Sequence, residues 1–309
     1  ATAIYGSRGA NGVILITTKK GKAGKAKFSV NMQYGINEPT NKRGFLNSTE
    51  YLEFFREAAV NAGKYHFNRG GNWFGFANEN AAISYMNSVI DGRFNRYSGL
   101  NTGGANWRAD TVNTNWEDLA FQDAQTRIIE ANASGGSEKT KYFVSGSYND
   151  QDGILFYNNF KRYSGRINLE QELNSRLKIG VNSTLSRSQA RRVGQDNQFY
   201  TPMQIVALAP ITPVRNSSGQ LFDRPTTTYY NPLIETENAS FLSTTFRTIN
   251  SAFGQLKLME GLSFRSEFGL DVLTQNDNTF FGRRTIVGQG SNGSGSANWL
   301  RSVRYTTNN

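Results

Sequence analysis

Polar and apolar residues take turns along much of this chain. From Lys27 to Ile36 the alternation has no exception: Phe28, Val30, Met32, Tyr34 and Ile36 fall on one side, and Lys27, Ser29, Asn31, Gln33 and Gly35 on the other. A period of two is the geometry of a β-strand with one apolar face. The same beat returns at Tyr142, Val144, Gly146 and Tyr148, and at Leu177, Ile179, Val181 and Leu185. It sets Tyr163, Gly165, Ile167 and Leu169 against Arg162, Ser164, Arg166, Asn168 and Glu170. From Leu262 it runs through Phe264, Phe268, Leu270 and Val272, opposed by Ser263, Arg265, Glu267, Gly269 and Asp271. Weaker segments cover 126–133, 246–258 and the stretch from Trp299 to the end, where a strand is expected to open near Arg301. In the segment around Phe246, Ile249 and Phe253 fall out of phase and leave its register open.

The connections choose between architectures. Ser134-Gly135-Gly136-Ser137, Asn174-Ser175 and Glu260-Gly261 read as tight hairpin turns, whereas 37–124, 150–160, 187–245 and 275–295 are long. Length alternates long, short, long, short. Antiparallel strands then collect every short turn at one end and every long loop at the other, the asymmetry of an outer-membrane β-barrel. The first long connection holds one helix: Asn47 caps it with Glu50 three residues on, Leu52, Phe55 and Ala59 line one face, and Gly63 ends it. The remainder, including Asn68-Arg69-Gly70-Gly71-Asn72-Trp73-Phe74-Gly75-Phe76, is rich in Asn, Gly and aromatics and reads as ordered by its rings, not by a regular element.

Composition narrows the choice of function. Among 309 residues there is no Cys and one His, which excludes disulfides, Cys-ligated metals, thiol nucleophiles and a multi-His zinc site. No apolar run, Val13 to Ile16 and Ile205 to Ala209 included, approaches the ~18 residues of a spanning helix, so any membrane crossing is by strands. Aromatics at 13% argue for a folded chain. Residue 1 is not Met and no leader pattern follows it; Ala1 reads as an internal start of a longer chain.

The candidate chemistry is thin. Gly6, Gly9 and Gly12 fit neither dinucleotide nor phosphate-loop spacing, and a tight turn feeding a buried strand from Val13 to Thr17 accounts for them. Tyr148-Asn149-Asp150-Gln151-Asp152-Gly153 resembles half a calcium loop, but Tyr148 and Asn159 stand where the first and last ligands belong, so it reads as a loop turn. The net charge of +10 and the run Lys19, Lys20, Lys22, Lys25, Lys27 suit a polar lumen or lipid headgroups; no stacking platform accompanies them, and nucleic acid is not expected. Arg187, Arg191 and Arg192 form a second cluster just past a strand end, a solvated loop root or an anionic-lipid contact. Neither Glu235 with Glu237, nor Asp150 with Asp152, nor His66 has the partners that catalysis needs; no enzyme, cofactor or metal is expected.

Residues 3–21, Ala-Ile-Tyr-Gly-Ser-Arg-Gly-Ala-Asn-Gly-Val-Ile-Leu-Ile-Thr-Thr-Lys-Lys-Gly, resemble the closing segment of the plug in TonB-dependent outer-membrane transporters, with Tyr5, Gly6, Ser7, Arg8, Asn11 and Gly12 as its hallmark. The stretch 134–153, from Ser-Gly-Gly-Ser-Glu-Lys-Thr-Lys-Tyr-Phe to Gln-Asp-Gly, is similar to the SusC/RagA branch of that family in Bacteroidota. The likeness continues through 160–169, 177–181 and 261–265. It implies an all-β transmembrane antiparallel barrel, with residues 1–22 the end of the plug and 23–309 roughly the first eight of about 22 strands. It implies a multi-pass protein of the bacterial outer membrane, in contact with bilayer and lipopolysaccharide, importing an oligosaccharide or peptide. A SusD-like lipoprotein lid and the TonB-ExbB-ExbD complex would be its partners. A non-transporting surface protein on the same scaffold, such as an adhesin or assembly factor, is the alternative. The loops 37–124 and 187–245 are expected to gather above the lumen and to meet ligand or lid through Trp73, Phe74, Phe76 and Trp107.

Overall fold

The computed structural model describes residues 19–42, 44–69, 71–109, 112–193, 207–223 and 230–309. The plug hallmark, Tyr5 to Gly12, lies outside them. Eight strands form one sheet in sequence order: β1 (Gly24–Asn37), β2 (Ala124–Gly136), β3 (Thr140–Asp152), β4 (Asn159–Glu172), β5 (Leu177–Arg192), β6 (Ala239–Met259), β7 (Leu262–Phe281) and β8 (Ser294–Asn308). Every neighbouring pair is antiparallel. No described helix is long and apolar enough to cross a membrane.

The register resolves the two faces. Directly opposed residues share a face, and one row runs Val30, Ala131, Gly146, Gly165, Leu185, Thr248, Val272, Val303. A neighbouring row runs Phe28, Ala133, Val144, Ile167, Ser183, Asn250, Leu270, Tyr305. The other face carries Asn31, Glu130, Ser147, Ser164, Ser186 and Arg247 side by side. Asp271 on that face accepts two bonds from Arg247, 2.9 Å from Nε and 2.7 Å from Nη2. One side is built for hydrocarbon and the other for water.

The short connections join β2 to β3, β4 to β5 and β6 to β7; the long ones, 38–123, 153–158, 193–238 and 282–293, share the opposite end. Several strands outrun their apolar pattern. The last opens at Ser294, not near Arg301, and Arg187, Arg191 and Arg192 lie inside β5 instead of beyond it. Tyr148 to Asp152 likewise belong to β3, so the expected loop turn begins only at Gly153. The out-of-phase residues of β6 also find a place. Phe253 lies opposite Gly180 on the polar face and is 5% exposed, with the Arg265 guanidinium 3.6 Å above its ring.

The main buried clusters lie in the long loops, outside the sheet. Phe94, Trp107, Ala209 and Ile211 form one cluster, and Trp116, Ala120 and Leu208 another.

Candidate functional site

Asn47 Oδ1 accepts from the Glu50 amide at 2.9 Å while Glu50 Oε2 accepts from the Asn47 amide at 2.9 Å, so the capping box starts helix α1 (Ser48–Asn68). Gly63 does not end it. A Cβ at Gly63 would stand 2.6 Å from Ile83 Cα, so this glycine is where a second helix crosses. That helix, α2 (Glu79–Ser98), replaces the irregular loop expected here, with Asn78 capping its start and Gly99 its end at φ 71. The two helices make a hairpin closed near its tip by Asn68 Nδ2 donating to Glu79 Oε2 at 2.7 Å.

The tip presents the aromatic residues. Asn72, itself at φ 46, donates to the Phe76 carbonyl at 2.9 Å and accepts from the Phe76 amide at 2.8 Å, folding 72–76 into a turn. Phe74 packs on His66, Phe76 and Tyr85, with ring centroids 5.6, 5.6 and 5.7 Å apart. Trp73 stands outside this stack, 86% exposed. A solvated indole of that size on a braced turn is a ready contact for a ring or apolar partner.

Trp107 does not join them, which corrects the expectation that all four rings form one exposed set. It is 7% exposed, stacks edge-on with Phe94 at 5.0 Å and donates through Nε1 to Asn95 at 2.8 Å. Arg108 covers its outer side, 4.1 Å from the ring, and bonds Asp91 at 3.1 Å. Burial beside this cluster pushes the Tyr51 hydroxyl up to about 12, with Tyr97 acting the same way. Trp107 is a core residue, and its partners Ala209 and Ile211 come from the second long loop.

The two loops are knitted together by polar bonds as well. The Thr114 amide donates to Pro210 at 2.8 Å, its hydroxyl to Thr212 at 2.7 Å, and Trp116 Nε1 to Ala209 at 3.1 Å. Local patterns carry no sign of these pairings, whose members lie nearly a hundred residues apart.

At the opposite end the chain enters β1 across the polar face. Asn168 donates to the Lys19 carbonyl at 2.7 Å, and Lys20 meets Glu170 at 2.7 Å, which Lys178 also holds at 2.8 Å. Gly21 lies so close to the Tyr142 backbone that a Cβ would stand 2.4 Å from it.

An outward apolar face, an inward polar face and segregated loops are the marks of a membrane barrel. No family model matches the chain. It is 26% identical over 322 residues to TonB-dependent receptor P3 of Formosa agariphila, covering 100% of this chain and 27% of that one. It is 28% identical over 193 residues to TonB-dependent receptor SusC of Bacteroides thetaiotaomicron, covering 62% of this chain and 15% of that one. Among solved structures it superimposes on the RagAB peptide transporter with a TM-score of 0.72 and 24% identity, over 99% of this chain and 34% of that one. Over most of its length the chain is thus similar to TonB-dependent receptors, SusC among them, and shares the fold of RagAB. It spans about a quarter of the length of the first curated relative, at 27%, and its eight strands form part of a transmembrane β-barrel.

Proposed function

We propose that the whole receptor imports a glycan or peptide nutrient across the outer membrane, driven by the TonB-ExbB-ExbD complex and covered by a SusD-like lipoprotein. In this reading residues 1–22 are the tail of a plug and 23–309 the opening part of the barrel with its extracellular loops. The observation that carries it is the anchoring of Lys19 and Lys20 on Asn168 and Glu170 of the polar face. A chain tethered inside the lumen suits a gated channel, and a barrel serving only as an anchor has no use for one. The solved RagAB relatives are described as a peptide transporter and a peptide importer, which supports a peptide cargo. Exposed aromatic rings suit sugar faces equally, so both classes stay in the proposal. Contact with ligand or lid falls to Trp73, Phe74 and Phe76, and no catalytic group takes part.

The test uses the full-length receptor in its native host, grown on a defined peptide mixture or on an oligosaccharide as sole nutrient. Growth on one of them is expected to need both the receptor and TonB. Trp73→Ala is expected to weaken uptake or lid capture at least fivefold with normal surface levels, since truncating a solvated ring leaves the fold alone. Unchanged growth without TonB would overturn the proposal.

A further inference from the structure

Gly146 and Gly165 face each other across β3 and β4 on the apolar side of the sheet. Glycine inside a strand weakens it and asks for a reason: a bulge, a left-handed backbone, a crowded neighbour, or something approaching closely from outside. The first three fail here. Pairing runs through both residues without a register shift, and neither has positive φ. A Cβ at Gly146 would meet nothing nearer than Ser164 O at 3.9 Å, and one at Gly165 nothing nearer than Ser145 O at 3.9 Å. No described ring atom comes within 4 Å of either Cβ position. Their bare backbone floors an open hollow of about 370 Å³, walled by Tyr163, Leu185, Arg187 and Phe246.

The hollow lies on the face turned to lipid, one row inside the apolar boundary. The row Met32, Ile129, Tyr148, Tyr163, Arg187, Phe246 borders it toward the long loops. Tyr148 and Tyr163 stack there at 5.0 Å, as rings do at headgroup level. Beyond them the same face turns polar, with Arg127, Asp150, Lys161 and Gln189 in one row. Asp150 is already engaged by Tyr148, Asn159 and Lys161. Arg187 is exposed and pairs with no acid among the described residues. A guanidinium at the rim of an apolar groove matches a phosphate joined to a hydrocarbon chain.

We propose that this hollow holds one acyl chain of a membrane lipid whose phosphate headgroup is net anionic, its phosphate on Arg187 and its upper methylenes over Gly146 and Gly165. The inference rests on the outward orientation of this face and is independent of cargo and of TonB. A second receptor copy, or glycines that merely ease bending of the sheet, are the competing explanations.

The full-length receptor, delipidated in a non-ionic detergent, is given dioleoyl phosphatidylglycerol or the phosphatidylcholine with the same chains, and retained lipid is counted by native mass spectrometry. Wild type is expected to hold phosphatidylglycerol at least about fivefold better, the effect of one cation at a membrane surface. Arg187→Gln should erase that preference, and Gly165→Leu should empty the hollow. Should Gly165→Leu fail to assemble, Gly165→Ala, for which there is room, should halve retention. Equal retention of both lipids by wild type overturns the proposal, as does wild-type retention in Arg187→Gln together with either Gly165 variant. So does a Gly165 variant that dissolves a receptor dimer while its lipid stays bound.

Discussion

Replacing Ile167 by arginine tests the placement of the membrane directly. Ile167 sits in the middle of the sheet on the apolar face, opposite Val144 and Ser183, four residues along β4 from the boundary residue Tyr163. Four residues rise roughly 13 Å along a strand, and at a tilt of about 40° that is ~10 Å of depth, close to the centre of an apolar band ~25 Å tall. An arginine there costs ~2–4 kcal/mol, whereas near the interface the cost is ~0–1 kcal/mol. Ile167→Arg should therefore lower the urea midpoint of the liposome-embedded full-length receptor strongly, Tyr163→Arg hardly at all. A difference of ~3 kcal/mol is about a hundredfold in the ratio of folded to unfolded barrel. The adjacent pair on β1 supplies the control for facing. Val30→Arg opposes Ala131 in lipid, and Asn31→Arg opposes Glu130 on the polar face, where it gains a partner. Equal losses at Ile167 and Tyr163, or at Val30 and Asn31, would refute the assignment of faces.

Three further outcomes follow from individual contacts. Gly180→Ala puts a Cβ 2.2 Å from Phe253 Cε1, so it should cost ~1–3 kcal/mol in urea unfolding and show a non-additive cycle with Phe253→Ala; additive losses would deny the contact. Gly63→Ala drives a methyl to 2.6 Å from the Ile83 backbone, so hydrogen exchange should speed up across 48–98 while the barrel's urea midpoint holds; unaltered exchange would contradict the close crossing. Burial raises the carboxyl of Glu235, on the loop helix Pro232–Asn238, although the Ile286 amide donates to it at 3.0 Å and pulls the other way. A folded value above the unfolded one means that its contribution is fully present below about pH 4.3 and lost as pH rises through the raised value. Exchange at Ile286 should then quicken with pH beyond the intrinsic rate, and Glu235→Gln should remove the excess; an excess that persists in the variant would show that Glu235 is not its source.

The period-two pattern was readable because two solvents flank the sheet and each strand must serve both in turn. It was readable only where lipid imposes it. Past the boundary row both sides of the sheet meet water, alternation loses its cause, and backbone pairing alone carries the strands onward. Hence Gln189 to Arg192 and Asn276 to Phe281 extend β5 and β7 with no apolar alternation. Helix 79–98 escaped notice for a related reason: much of its surface is solvated, and its apolar residues do not gather into one stripe. Its ends were legible all the same, in Asn78 as a cap and Gly99 as a left-handed stop.

The misplaced rings show where local pattern stops being information. Phe253 breaks phase because its partner is an absence, the missing side chain of Gly180 on the neighbouring strand, and only the register between β5 and β6 reveals that the two coincide. Trp73 and Trp107 sit in similar Asn- and Gly-rich surroundings, yet Trp107 is core because Ala209 and Ile211 arrive from another loop, while no described residue of another loop buries Trp73. A ring's fate is decided by what the rest of the chain brings to it. That is why the exposure of Trp73 supports the contact proposed for it: among the described residues, the long loops cover one indole and leave the other bare.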